Sequence, residues 1–242
     1  MSRKYVGFDI ETAKVIPEGA NLRDERPLGV TCVAFDAEDF KRTIAAASGQ
    51  MTPAEVRAVV DQLEELIGKG YTIATWNGLA FDFDILAEEA EVDVAKRIAV
   101  IAASEHHVDL MFHFVCAKGF RCSLAKACEG MDIEGKTEGV TGAGAPELWA
   151  SGEREKVLEY VAQDARIQRL LTEEVAKAGR MWWVTKKGTL SSVVLGEPRD
   201  VVAALRLPEP DTTWMDNPPQ RKWFYWWTKP HGVDLSPDPK VF

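Results

Sequence analysis

The first stretch of the chain constrains it most. Residues 4–10 are a short apolar run that predicts a buried strand, and the run closes on Phe8-Asp9-Ile10-Glu11-Thr12. Residues i and i+2 of a strand share a face. Asp9 and Glu11 therefore project together, while Ile10 turns to the opposite, apolar side. Two carboxylates held this close repel unless protons or cations compensate them. A divalent metal is the simplest compensation, and hard oxygen ligands suit Mg²⁺ or Mn²⁺. Two solvated acids at a strand end give the same triplet, so the triplet alone decides nothing.

Further along, residues 28–35 (LGVTCVAF) predict a second strand, and residues 40–45 a third, paired through the turn Asp36-Ala37-Glu38-Asp39. Thr52-Pro53-Ala54-Glu55 is a helix start, with Thr at the N-cap, Pro at N1 and Glu at N3. Val56, Val59, Val60, Leu63, Leu66 and Ile67 then keep the 3.6-residue period up to Gly68 and Gly70. Residues 71–76 read as a strand. Residues 79–91, 94–102 and 123–131 read as helices, a Gly-rich loop spans 135–144, and 154–178 form a long amphipathic helix. Successive strands followed by a helix, a strand and mostly helices imply an α/β fold: a mixed sheet flanked by helices.

Two more polar signals sit on this frame. Trp76-Asn77-Gly78-Leu79-Ala80-Phe81-Asp82 follows a strand and opens a helix. Such a junction can put Asp82 in a crevice at the carboxyl end of the sheet; a helix-start Asp favouring the macrodipole is the plainer alternative. Tyr160-Val161-Ala162-Gln163-Asp164 places a phenol and a carboxylate at i and i+4, on one face of the late helix. Asp84, two residues past Asp82, faces elsewhere on a helix. Asp109 is a candidate structural or supporting acid.

DxE on the first strand, NGxxFD after a later strand and YxxxD on a late helix together resemble the three motifs of the DEDD exonucleases. The tyrosine marks the DEDDy branch of this DnaQ-like, ribonuclease-H-like superfamily, which includes the proofreading domains of family A and family B polymerases. The NGxxFD form is similar to that of stand-alone exonucleases related to family B. The resemblance covers about residues 4–175 and implies a ribonuclease-H-like fold and two-metal hydrolysis of phosphodiesters at 3′ ends. By this resemblance Asp9, Glu11 and Asp164 hold the metal that activates water, Asp9 bridges to a second metal, and Asp82 supports that second site. Tyr160 orients the water; with a pKa of about 10 it is a poor general base at neutral pH. Thr12, Asn77 and Phe81 are expected around the 3′-terminal nucleotide. Lys136 is expected at the scissile phosphate, with Lys126 also at a suitable separation. The branch with a catalytic histidine carries it five residues before the last Asp, and that position here is Glu159, although His106 and His107 lie upstream.

The expected substrate is single-stranded DNA, removed from its 3′ end. RNA trimming is the alternative within the same chemistry, since metals act on phosphate and the 2′-hydroxyl is read separately. A catalytically silent nucleic-acid-binding module is the alternative outside it. The formal net charge of −9 argues against a general polyanion binder. The charge is uneven, however: residues 176–242 hold 10 Lys and Arg against 7 Asp and Glu, and the rest 19 against 31. Cys32, Cys116, Cys122 and Cys128 match no CxxC framework, and they read as reduced thiols of a cytoplasmic protein. No apolar run of about 18 residues predicts a membrane span.

After about residue 178 the composition changes. Six of the eight tryptophans and eight prolines follow, so residues 1–178 read as the nuclease domain and 179–242 as an irregular Trp/Pro-rich extension. Within it, residues 221–229 (RKWFYWWTK) interleave cations and rings, which suits single-stranded nucleic acid. Rings that anchor the tail onto the domain give the same pattern. This end is also a candidate surface for a replication or repair partner or a second copy of the chain.

Overall fold

The computed structural model describes residues 3–17, 19–20, 23–135 and 141–236. β1 (Lys4–Thr12), β2 (Val30–Asp36) and β3 (Lys41–Ala45) form an antiparallel meander. α1 (Pro53–Gly68) leads into β4 (Tyr71–Thr75), which pairs parallel with β1 on its free side. α2 (Asp82–Glu88) and α3 (Val92–Ala103) precede β5 (His107–Asp109), parallel to β4. The mixed five-stranded sheet thus runs β3-β2-β1-β4-β5. α4 (Leu110–Lys118), α5 (Leu124–Met131), α6 (Ala145–Ala150) and α7 (Arg154–Ala178) follow.

Local chemistry explains these elements. The Thr52 hydroxyl accepts the Glu55 N–H while the Glu55 carboxylate accepts the Thr52 N–H, so the expected capping box starts α1. Ser123 caps α5 in the same way, through Lys126 N–H. β1 alternates between two environments. Val6, Phe8 and Ile10 enter the main core, where Phe8 stacks between Phe35 and Phe83 at 5.2 and 5.6 Å. Gly7 meets α7. The sequence did not announce α4, because Leu-Met-Phe-His-Phe-Val-Cys is apolar on every side and has no helical period; its first seven residues are all buried. β5, with three residues, is too short to read.

The C-terminal part is more regular and more tightly joined than its composition suggests. β6 (Arg180–Val184) and β7 (Leu190–Val194) form a hairpin, and α8 (Val201–Leu205) follows. Among the described residues from 206 onward the chain keeps two single 3₁₀ turns, at Arg221–Trp223 and Lys229–His231. Gly130 of α5 lets the hairpin dock closely: a Cβ there would stand 2.4 Å from Trp183 Cα. Trp183 belongs to a second apolar cluster with Phe114, Ile167 and Leu171, and Phe224, Tyr225 and Trp227 enter the main core. Arg221 points inward and donates to the carbonyls of Cys116, Leu205, Leu207 and Pro208. Most of the basic and aromatic run at 221–229 therefore anchors the tail to the domain. All four cysteines are free and buried. Among the described residues no helix is long and apolar enough to cross a membrane.

His107 marks the centre of this packing. It is fully buried, edge-on to Phe83 at 4.7 Å. Its Nδ1–H donates to Ala102 O at 2.7 Å, so Nε2 accepts from the Thr75 hydroxyl at 2.9 Å. Burial holds its pKa down at about 4, below the ordinary 6.5. The unfolded chain therefore takes up the proton first, and the neutral imidazole's contribution is present above pH 6.5 and lost as pH falls toward 4. Measured by urea unfolding, the stability of the parent relative to His107→Gln should fall over that window by up to about 3 kcal/mol. A constant difference would show that the ring is not held neutral.

Candidate active site

The site grows from one backbone contact. A Cβ on Gly7 would lie 1.8 Å from Ala165 O, so α7 can rest on β1 at this point because residue 7 has no side chain. Ala165 adjoins Asp164, and Gly7 lies two residues before Asp9 on the same strand face. The contact thus brings the third motif to the first. One turn beyond Asp164, the Gln168 amide donates to Asp9 Oδ1 at 2.7 Å and its carbonyl accepts Trp76 N–H at 3.0 Å. Gln168 joins α7, β1 and the end of β4. The sequence reading missed this residue. Its signal is present in hindsight, since Tyr160, Asp164 and Gln168 repeat at four-residue intervals along one helix face.

Asp82 opens α2 and reaches back to the first strand. Its Oδ1 accepts the N–H of Ile10, the residue between Asp9 and Glu11, at 3.2 Å. The side chain is buried. Burial pushes its pKa well up, and the nearby charges of Asp109 and Asp164 push it further. Glu11 and Asp164 are also buried, while Asp9 is half-buried. Burial raises the Cys32 thiol to about 12, and the charges of Glu11 and Asp9 add to that shift from across the β1–β2 pair. The region is therefore rich in negative charge.

The turn carrying the second motif is held by Asp109, which the sequence marked as a supporting acid. Its carboxylate accepts N–H groups from Asn77, Leu79 and Phe112, each at 3.0 Å, and so fixes the turn and caps α4 together. Burial raises it to about 6 even with these donors. Asn77 adopts a left-handed backbone (φ 72°), and among the described residues its buried side-chain oxygen has no hydrogen-bond partner. The following Gly78 passes so close to Thr75 that a Cβ would stand 2.5 Å from its side chain. From the other side, Trp227 Nε1–H donates to Leu79 O at 2.7 Å, so the C-terminal segment braces this turn.

The remaining expected residues are placed as follows. Tyr160 is buried on α7 one turn before Asp164. Thr12 closes β1 at a bulge in its pairing with β2. Phe81 is half-buried against the main core. Lys136 lies outside the described residues, and Lys126 pairs with Glu129 on α5 at 2.6 Å. Asp84 points away, as expected, to Arg26 at 2.8 Å. His113 accepts Arg199 N–H.

The donor chemistry fits hard divalent cations: all four acidic side chains offer carboxylate oxygens, and the Asp82 pKa is raised first by burial and then by the charges of Asp109 and Asp164, which a cation would offset. Geometry is less complete. Among the described residues no group of three or more His, Cys, Asp or Glu side chains is arranged to hold a metal ion. The carboxylates are neighbours without forming a closed cage.

A family model described as RNase_H_2, of the RNase H superfamily, matches residues 6–176. The chain belongs to this superfamily, in keeping with its mixed sheet and the resemblance carried by its motifs. Among solved structures it is similar to the family B DNA polymerase from the hyperthermophilic archaeon Pyrobaculum calidifontis, with a TM-score of 0.53 and 19% identity over 72% of this chain. The likeness is one of fold, and the match covers 25% of that polymerase chain. No curated protein matches.

Gly7→Ala tests the central contact. The methyl group must force α7 away from β1, and the expected cost is about 3 kcal/mol, the upper range for overpacking, because the obstacle is backbone. Denaturant unfolding measures it. A parent-like midpoint would mean that α7 can lift off β1 without loss.

Proposed function

We propose that this chain is a metal-dependent 3′→5′ exonuclease acting on single-stranded DNA, with residues 1–178 as the nuclease unit and 179–242 as an extension that braces it. The observation that carries the reading is the meeting of the three motifs: Asp82 on the amide between Asp9 and Glu11, and α7 on the same strand through Gly7 and Gln168. Asp9, Glu11, Asp82 and Asp164 are the residues that would hold two divalent ions, Mg²⁺ or Mn²⁺. When bound, such ions stabilise the negative charge that builds on the attacking and leaving oxygens of a phosphodiester.

The chain's own groups do the rest. Tyr160 orients the nucleophilic water through its hydroxyl and does not act as the main base. Gln168 fixes the rotamer of Asp9, and Asp109 fixes the turn from which Asp82 projects. Thr12, Asn77 and Phe81 border the terminal nucleotide, with the side-chain oxygen of Asn77 as an acceptor for a sugar hydroxyl. Lys136 meets the scissile phosphate.

The test uses single-stranded DNA and RNA labelled at either end, with Mg²⁺, Mn²⁺ or EDTA. The expected result is a metal-dependent ladder shortening from the 3′ end, with DNA preferred. Asp9→Asn should reduce the rate by about 1,000-fold or more, and Tyr160→Phe by about 10- to 100-fold. Asp9→Asn with parental activity, or cleavage from the 5′ end, would overturn the reading.

A further inference from the structure

Away from the acidic site, a groove of about 1080 Å³ runs between the start of α5, the β6–β7 hairpin and residues 214–223. Its cations are Lys118, Arg121, Lys126, Lys186 and Lys187, and among the described residues no Asp or Glu lines it. In a chain of net charge −9 this is a local reversal of sign. Two of the lysines sit on the hairpin turn, and the far wall comes from the 214–223 segment. Both lie beyond the span matched by the superfamily model.

The groove also carries ordered rings. Trp214 is 65% exposed, yet it is not loose. Its Nε1–H donates to Asp211 O at 3.1 Å, and its ring stands edge-on to Phe120 at 5.9 Å. Phe120 in turn stands edge-on to Trp183, whose indole is rooted in the second apolar cluster. An exposed indole held in a fixed orientation loses little entropy when a flat partner stacks on it. Trp223 contributes a further ring to the groove.

We infer that this groove holds single-stranded DNA, with Trp214 stacking on a base and Lys118, Lys186 and Lys187 meeting phosphates. Cations alone would suit any acidic polymer. Cations flanking an oriented aromatic face suit unpaired bases on a phosphate backbone, and a duplex hides its base faces. The inference rests on the nuclease reading for the identity of the strand, which here is the substrate. Trp76, at the head of the second motif, packs on the same apolar cluster as Trp183, which lines the groove.

Binding of fluorescein-labelled dT16 to the full chain, followed by anisotropy in EDTA, tests the groove without cleavage. Trp214→Ala should weaken binding about 5- to 100-fold, the range of one base–aromatic stack. Lys186→Glu with Lys187→Glu should weaken it at least about tenfold and lower the salt slope by about 1.4, for two lost phosphate contacts on a single strand. All three residues are exposed, and unchanged melting curves would show that the variants fold. Parental affinity in both groove variants overturns the inference, as does oligoglutamate competing as well as dT16, or rU16 binding more tightly than dT16. If the groove variants lose binding while the parent degrades neither polymer, the groove stands and the nuclease reading falls. If the parent degrades DNA and the groove variants bind it undiminished, the reverse holds.

Discussion

A helix laid directly on a strand governs this molecule. α7 reaches β1 backbone to backbone at Gly7, where any side chain would collide with Ala165 O. Everything polar in the site depends on that closeness. A helix resting on side chains would stand some 10 Å from the sheet, the usual spacing of packed layers, and Gln168 would be out of reach of Asp9. The apolar residues of α7 supply the adhesion: Val157, Val161 and Ala165 enter the main core, and Ile167, Leu171 and Val175 enter the second cluster.

The turn bearing Asp82 is held by a different device. A strand that ends in Trp76-Asn77-Gly78 leaves amides without sheet partners, and a buried amide without a partner costs roughly a lost hydrogen bond. Asp109 and Gln168 accept those of Trp76, Asn77 and Leu79. Trp227 takes the carbonyl of Leu79 from the tail. Residues separated by about 150 positions thus meet on one short turn, which is why the C-terminal segment is part of the domain's architecture, whatever else it binds.

Electrostatics divides the surface by task. Buried carboxylates are concentrated where β1, α2 and α7 meet, and the Asp82 pKa is raised chiefly by burial, with the charges of Asp109 and Asp164 adding to it. Several described cations are committed away from this point. Arg26 is committed to Asp84 and Glu88, Arg169 to Asp36 and Glu173, and a set of lysines lines the groove beside the hairpin. Such a separation suits a molecule that draws in cations at one place and a polyanion at another.

The sequence by itself determined the elements whose signals are local. The capping box of α1, the strands β1 to β4 and the full span of α7 were legible because periodicity and caps act within a few residues. So were the three acidic motifs and the face shared by Asp9 and Glu11. α4, β5 and the C-terminal hairpin were not, because an all-round apolar helix has no period and a three-residue strand has no pattern of its own. Tertiary structure alone decided which tail rings became core and which stayed exposed: Trp227 and Trp214 look alike in the sequence, yet one is 2% and the other 65% accessible. It alone assigned Gln168 to Asp9 and the amides of Asn77 and Leu79 to Asp109. Those pairings span from about 30 to 160 residues of chain, and no local rule of spacing encodes a contact that exists once the layers have packed.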